Sequence, residues 1–106
     1  MTKTMTQDTI NRARQWGIDK KLTGPESQSS ALIQHDKLQG EVHELVVEIV
    51  NDDLEAAQME LGDCAVVLIQ IAEHLGKSFE ECLEMAVNKI SKRTGETIDG
   101  VFVKDK

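Results

Sequence analysis

The stretch that follows Asp63 constrains the fold more than any other part of the chain. It reads CAVVLIQI, with seven apolar residues in eight, inside a run whose pattern predicts a helix over about 54–75. A helix that is apolar nearly all round must be covered on more than one side. A chain of 106 residues can form only a small hydrophobic core. We therefore expect other helices, including those of further subunits, to cover this helix.

Turn and cap signals divide the preceding part of the chain into two more helices. The first covers about 6–16 and stops at Gly17, and a loop follows over 17–28. One of the serines at positions 27, 29 and 30 caps the second helix, which runs to about residue 50. The break at 51–53 is so short that the second and third helices must pack side by side.

The C-terminal part carries the signals of a fourth helix and a short tail. Ser78 and Glu81 form a capping box that opens the helix, and Gly95 stops it. In the tail TIDGVFVKDK, Asp99-Gly100 separates two short β-prone stretches, so that a small hairpin and an ordered extended arm both remain open. The predicted fold is all-α: a single domain over 1–106 with a four-helix bundle-type core, a short C-terminal extended tail, and helices packed in an oligomer.

Charge and composition exclude several partners and compartments. The chain has 12 Lys and Arg against 19 Asp and Glu, a formal net charge of -7, whereas nucleic-acid binders need a basic surface. It has no bilayer-length apolar run and no signal-peptide core, so we expect no membrane partner. Cys64 and Cys82 lie within apolar helical patterns and lack metal-ligand spacing, so they are expected to be buried, reduced thiols in the core of a cytoplasmic protein.

Two pairs of carboxylates recur on the second and third helices. Glu41 and Glu44 lie three residues apart, and Glu60 and Asp63 repeat this spacing, which puts each pair on one helical face at the edge of the core. From spacing alone, ordinary solvated helix charges explain the pairs equally well. The apolar surroundings of Asp63 favour a cation that offsets repulsion and lost solvation. Oxygen-only ligands suit Mg²⁺, with Mn²⁺ as a substitute, rather than Zn²⁺.

The sequence around these pairs resembles the all-α NTP pyrophosphohydrolase superfamily, and its MazG-like branch in particular. The resemblance rests on E-x-x-E on one helix, E-L-G-D running into CAVVLIQ on the next, and KISKR near the end of the fourth, and it covers about 31–93. It implies magnesium-dependent hydrolysis of a nucleoside triphosphate, often a deoxynucleotide, to the monophosphate and pyrophosphate. It also implies removal of unwanted nucleotides from the pool, and a homodimer or homotetramer.

Carried over residue by residue, the resemblance makes Glu41, Glu44, Glu60 and Asp63 the Mg²⁺ ligands. The proton acceptor for the attacking water is expected to be Glu48, one turn beyond Glu44, or one of the four ligands, Glu41 among them. Substrate contacts are expected from one aromatic and four basic residues: Trp16, Lys89, Lys92, Arg93 and Lys104.

The substrate contacts and the function itself each have an alternative. The basic residues near the end of the fourth helix would equally complement its dipole, and Trp16 would equally pack in the core or at an interface. Within the superfamily, a phosphoribosyl-ATP pyrophosphatase is the closest rival activity. From a different class, the chain could be a non-catalytic helical interaction module with solvated acidic faces.

Overall fold

The structure is a computed structural model that describes residues 5–106, and it places four helices before a two-stranded hairpin. The bounds in chain order are α1 (Met5–Asp19), α2 (Ala31–Val50), α3 (Leu54–His74), α4 (Phe79–Ile90), β1 (Gly95–Ile98) and β2 (Val101–Lys104). The predicted all-α class with a short extended tail is confirmed. No helix in the described part of the chain combines the length and the apolar character of a membrane span.

The pairing of α2 with α3 is the most extensive contact between elements. Ser30 caps α2, its side chain accepting a hydrogen bond from the backbone of Ile33. The connection turns at Asp52, which has a φ of 59°. The Oδ1 of Asp53 then accepts the backbone N–H of Ala56 at 3.1 Å and so opens α3. This tight connection lays the two helices side by side, as the short break in the sequence predicts.

The core lies along α3, against which α1, α2 and α4 all pack. The buried residues of this helix are Cys64, Val67, Ile69, Gln70 and Ala72. Leu68 on the same helix and Leu75, the residue that caps its end, remain exposed. The remaining helices of the described chain therefore cover α3 on several sides but leave part of its apolar surface open.

Two predicted helix ends are wrong. α1 continues through Gly17 to Asp19, because this glycine serves a close contact with Gln70 of α3 rather than a stop. α4 ends at Ile90, well before Gly95, which instead begins β1. The segment between α4 and β1 therefore forms a turn, and it contains two of the predicted substrate residues, Lys92 and Arg93.

The tail adopts the hairpin, one of the two arrangements that its sequence left open. The strands are antiparallel, with Thr97 opposite Phe102. Asp99 and Gly100 have φ angles of 52° and 82°, the two positive values that a type I′ turn requires. Within the described residues the hairpin packs against none of the helices, so that it projects from the end of α4.

The capping box at the start of α4 predicts a measurable stability loss on substitution. Ser78 Oγ accepts the backbone N–H of Glu81 at 3.1 Å, and the carboxylate of Glu81 accepts the N–H of Ser78 at 2.9 Å. We expect Ser78→Ala to lower the free energy of unfolding by about 1 kcal/mol, measured by urea titration at fixed protein concentration. Gln58→Ala, at an exposed position of α3, should change it by less than about 0.5 kcal/mol. Equal losses in both variants would contradict a specific role for the cap.

Candidate metal and substrate site

Three carboxylates from α2 and α3 converge at one place. Glu41 on α2 and Glu60 and Asp63 on α3 each offer an oxygen, and these oxygens lie within 4.8 Å of one another. All three side chains are half-buried. Oxygens on opposite sides of one Mg²⁺ ion are about 4.2 Å apart, so small side-chain movements would let a single cation contact all three.

This group of carboxylates carries a negative charge that the surrounding described residues offset only in part. Burial, followed by the charges of Glu41 and Asp63, raises the pKa of Glu60 above its ordinary value. The Oε2 atom of Glu60 is buried and has no hydrogen-bond partner. Lys37 lies 3.3 Å from Glu41 but is largely exposed, which weakens its compensating effect. The group therefore has the electrostatic character of a cation site.

The carboxylates also affect a neighbouring thiol. Cys64 follows Asp63 in the sequence and is buried. Its burial, and next the charge of Glu41, raise the pKa of its thiol. A raised pKa keeps the sulfur protonated and poorly nucleophilic. The prediction of a buried thiol therefore holds for Cys64, while Cys82 is half-buried.

The two other acidic residues predicted for the site lie outside this group of three. Glu44 is exposed, although its charge contributes to the raised pKa of Glu60. Glu48 is half-buried one turn further along α2, and it does not belong to the group of close oxygens found among the described residues. The structure thus brings together three of the four predicted ligands, and the roles of Glu44 and Glu48 stay predictions.

A cleft of about 500 Å³ opens beside the carboxylates. Glu41 and Asp63 line it, and so does Trp16, a residue that is 46% exposed. The other lining residues are Leu22, Ile33, Gln34, Lys37, Val66, Val67 and Gln70. A mainly apolar wall with a few polar groups, in a volume of this size, is typical of a small-molecule site.

The predicted basic substrate residues do not line this cleft. Lys89 lies in the last turn of α4, Lys92 and Arg93 follow it, and Lys104 ends β2; all four are exposed. Among the residues that do line the cleft, Lys37 carries the only positive charge. Its position one turn before Glu41 on the same helical face was the sequence signal for this placement.

Gln70 is the cleft residue that sequence reasoning missed. It is the one polar residue within CAVVLIQI, and the structure buries it to 1% exposure on the side of α3 that faces α1. A lone polar side chain in so apolar a stretch was the available signal, because a buried amide needs a specific partner.

Comparison with known protein families identifies the family of the chain. The family description of the MazG nucleotide pyrophosphohydrolase domain matches residues 29–97, a range that contains α2, α3 and α4 and all four predicted ligands. No curated protein and no solved structure matches the chain significantly. Because the family match spans well over half of the sequence, the chain belongs to the MazG nucleotide pyrophosphohydrolase domain family.

Proposed function

We propose that the protein is a magnesium-dependent pyrophosphohydrolase of nucleoside triphosphates, with deoxynucleotides as the preferred class and clearance of unwanted nucleotides as its role. Family membership supports a nucleotide substrate and a hydrolase of the pyrophosphohydrolase type. The observation that carries the metal-dependent reaction is the convergence of Glu41, Glu60 and Asp63 at the edge of a nucleotide-sized cleft.

The residues present fit the proposed ion. Their donors are carboxylate oxygens alone, the set that Mg²⁺ and Mn²⁺ prefer. The buried Oε2 of Glu60 has no partner, which is costly unless a donor or a cation reaches it. Glu41, Glu60 and Asp63 would hold the ion, with Glu44 as a further ligand. When bound, a divalent ion neutralises phosphate charge and makes water a better nucleophile.

Other side chains of the cleft are suited to bind the base and the phosphates of the nucleotide. The indole of Trp16 offers a flat apolar face to a nucleobase, and Lys37 offers a positive charge to the phosphates beside Glu41. In the reaction, a water oxygen bonds to the α-phosphorus, the bond from that phosphorus to the α,β-bridging oxygen breaks, and pyrophosphate leaves. Glu41 or Glu48 takes up the proton of the water; of the two, Glu41 lines the cleft.

The central prediction concerns turnover and Asp63. With Mg²⁺ present, we expect the parent to release pyrophosphate from at least one of the deoxynucleoside or ribonucleoside triphosphates. Asp63→Asn should lower kcat by on the order of 100-fold, since a divalent ion contributes several kcal/mol to the transition state. Glu55→Gln, an exposed carboxylate at the start of α3, is the matched control and should keep parental turnover.

Each outcome of that measurement is informative. A parent inactive on the whole panel with both Mg²⁺ and Mn²⁺ would refute the proposed enzyme and favour an interaction module. Full activity of Asp63→Asn would refute the ligand assignment alone. If phosphoribosyl-ATP, assayed alongside the panel, were the one substrate hydrolysed, that result would assign the rival activity.

The Glu60→Gln variant separates the effect of carboxylate repulsion on stability from the effect of ion binding on stability. A carboxyl group with a raised pKa supports folding most at low pH and loses that contribution as pH rises through the raised pKa. The ion-free Glu60→Gln variant should therefore melt above the parent at neutral pH, with the gain vanishing as pH falls through the pKa of Glu60.

The same variant should respond weakly to the ion. At about 100 times its dissociation constant, Mg²⁺ should stabilise the parent by about 2.7 kcal/mol and Glu60→Gln by much less. Scanning calorimetry with Mg²⁺ and with EDTA, at several pH values, measures both effects. An equal Mg²⁺ response in the two proteins would show that Glu60 is not a ligand.

Oligomerisation is supported by the amount of surface that the single chain exposes. The accessible surface is 7981 Å², about 2,000 Å² more than the roughly 5,900 Å² of a folded monomer of this mass. A standard interface between two proteins buries an area of this order. Exposed apolar side chains occur on all four helices and on the hairpin; those on α4 and the hairpin include Leu83, Met85, Val87, Ile90, Val101 and Phe102.

We therefore expect a homodimer or homotetramer in sedimentation velocity at micromolar concentration. Leu83→Glu, which places a charge on the exposed apolar face of α4, should shift the protein toward smaller species. Asn88→Glu adds the same charge at an exposed polar position of this helix and should leave the assembly intact. A parent that sediments as a monomer would contradict the assembly.

A further inference from the structure

The contact between α1 and α3 holds a buried amide that the proposed chemistry does not use. Gln70 is 1% exposed, and it lines the cleft. Its Nε2 donates to the backbone carbonyl of Ala13 in α1 at 3.0 Å. Because a carbonyl can only accept, this bond fixes Nε2 as the end of the amide that reaches Ala13. The other end, Oε1, is buried without a hydrogen-bond partner.

Gly17 is the second half of this contact. A Cβ atom at this position would lie 1.8 Å from Oε1 of Gln70 and 2.5 Å from its Cδ. No residue with a side chain therefore fits while the amide keeps its place. Gly17 is also the buried residue of α1, and the absence of a side chain at this position leaves room for the amide of Gln70.

The combination of Gly17 and Gln70 is not the most stable choice for this contact. A glycine inside a helix is less stable than alanine by about 0.5–1 kcal/mol, and a buried amide oxygen without a partner is unfavourable as well. An apolar side chain of similar size would fill the same space without an unpaired oxygen. The amide adds a directional hydrogen bond to Ala13, and this bond fixes the position and the rotation of α1 relative to α3.

Trp16 lies next to the contact between Gln70 and α1. It directly precedes Gly17, follows Ala13 by about one turn, and lines the same cleft as Glu41 and Asp63. We propose that Gln70 is a positioning residue, whose amide, seated on Gly17 and bonded to Ala13, holds the Trp16 indole in the wall of the substrate cleft. The inference rests on the proposed function, because nucleotide binding is what a positioned indole serves.

Other contacts keep α1 attached when this one changes. Arg14 forms ion pairs with Glu73, at 3.2 Å, and with Glu80. After α1, the ring of His74 contacts the backbone oxygen of Leu22 at 2.7 Å. Loss of the Gln70 amide should therefore shift α1 and Trp16 without unfolding the protein or disturbing the carboxylates.

The single tryptophan makes the shift observable without any assay of turnover. The chain has one Trp and no Tyr, so that its intrinsic fluorescence comes from Trp16. We expect Gln70→Met, which keeps the length of the side chain but not its hydrogen bond, to change the emission maximum and the acrylamide quenching of Trp16. The urea midpoint should equal or exceed that of the parent.

Kinetics then distinguish positioning from a general structural role. For the deoxynucleoside triphosphate that the parent hydrolyses fastest, Gln70→Met should raise KM roughly 5- to 10-fold and leave kcat within about 2-fold of the parent. Gln15→Met removes a comparable exposed hydrogen bond, to Asp19, and should change neither constant.

A double-mutant cycle tests the pairing with Gly17. If Gly17 and the amide act as one contact, the KM of Gly17→Ala/Gln70→Ala should match that of Gln70→Ala rather than the product of the two separate effects. Independent, multiplying effects would overturn the pairing. Unchanged Trp16 fluorescence in Gln70→Met, or a fall in kcat at parental KM, would overturn the positioning role. A parent without turnover would refute the proposed function alone, and the fluorescence would still decide the position of Trp16.

Discussion

The packing of α2 along α3 brings together groups that repel one another, and the remaining features of the site follow from this contact. Asp52 and Asp53 shape the three-residue connection, and the short connection forces the helices side by side. As a result, Glu41 faces Glu60 and Asp63 across the interface. Burial and the charges of Glu41 and Asp63 raise the pKa of Glu60, so the packing of the two helices holds these carboxylates close together at an electrostatic cost. In the account proposed here, a divalent ion relieves that repulsion.

Under the proposed function, the cleft adds selectivity for a nucleotide to this charged group. Its wall is mainly apolar, and its single tryptophan comes from α1, outside the α2–α3 pair. Charge and shape thus come from different helices, with Gln70 at their junction. The predicted phosphate contacts Lys92, Arg93 and Lys104 lie after α4 and on the hairpin, and none of them lines this cleft. Apolar side chains of α4 and the hairpin are exposed beside them and would be covered in the proposed assembly. The roles of these basic residues therefore stay predictions that depend on that assembly.

Local signals in the sequence predicted the helices well, because caps, turns and periodicity act over a few residues. Ser78 with Glu81 forms the expected capping box, and Asp99-Gly100 forms a hairpin turn. The errors involve long-range contacts. Gly17 is typical of a helix stop, yet it lies inside α1 because an amide 53 positions later in the chain needs its space. The spacing of the acidic pairs indicated which residues meet, whereas the exposure of Glu44 depends on how α2 rotates against α3.

Diffraction from crystals grown with Mn²⁺ would test the metal site most directly, since manganese can be located by its anomalous scattering. We expect an anomalous peak bounded by carboxylate oxygens of Glu41, Glu60 and Asp63, at about 2.1 Å from each, and no such peak in crystals of Asp63→Asn. Ordered Mn²⁺ bound elsewhere, with these three carboxylates bare, would contradict it.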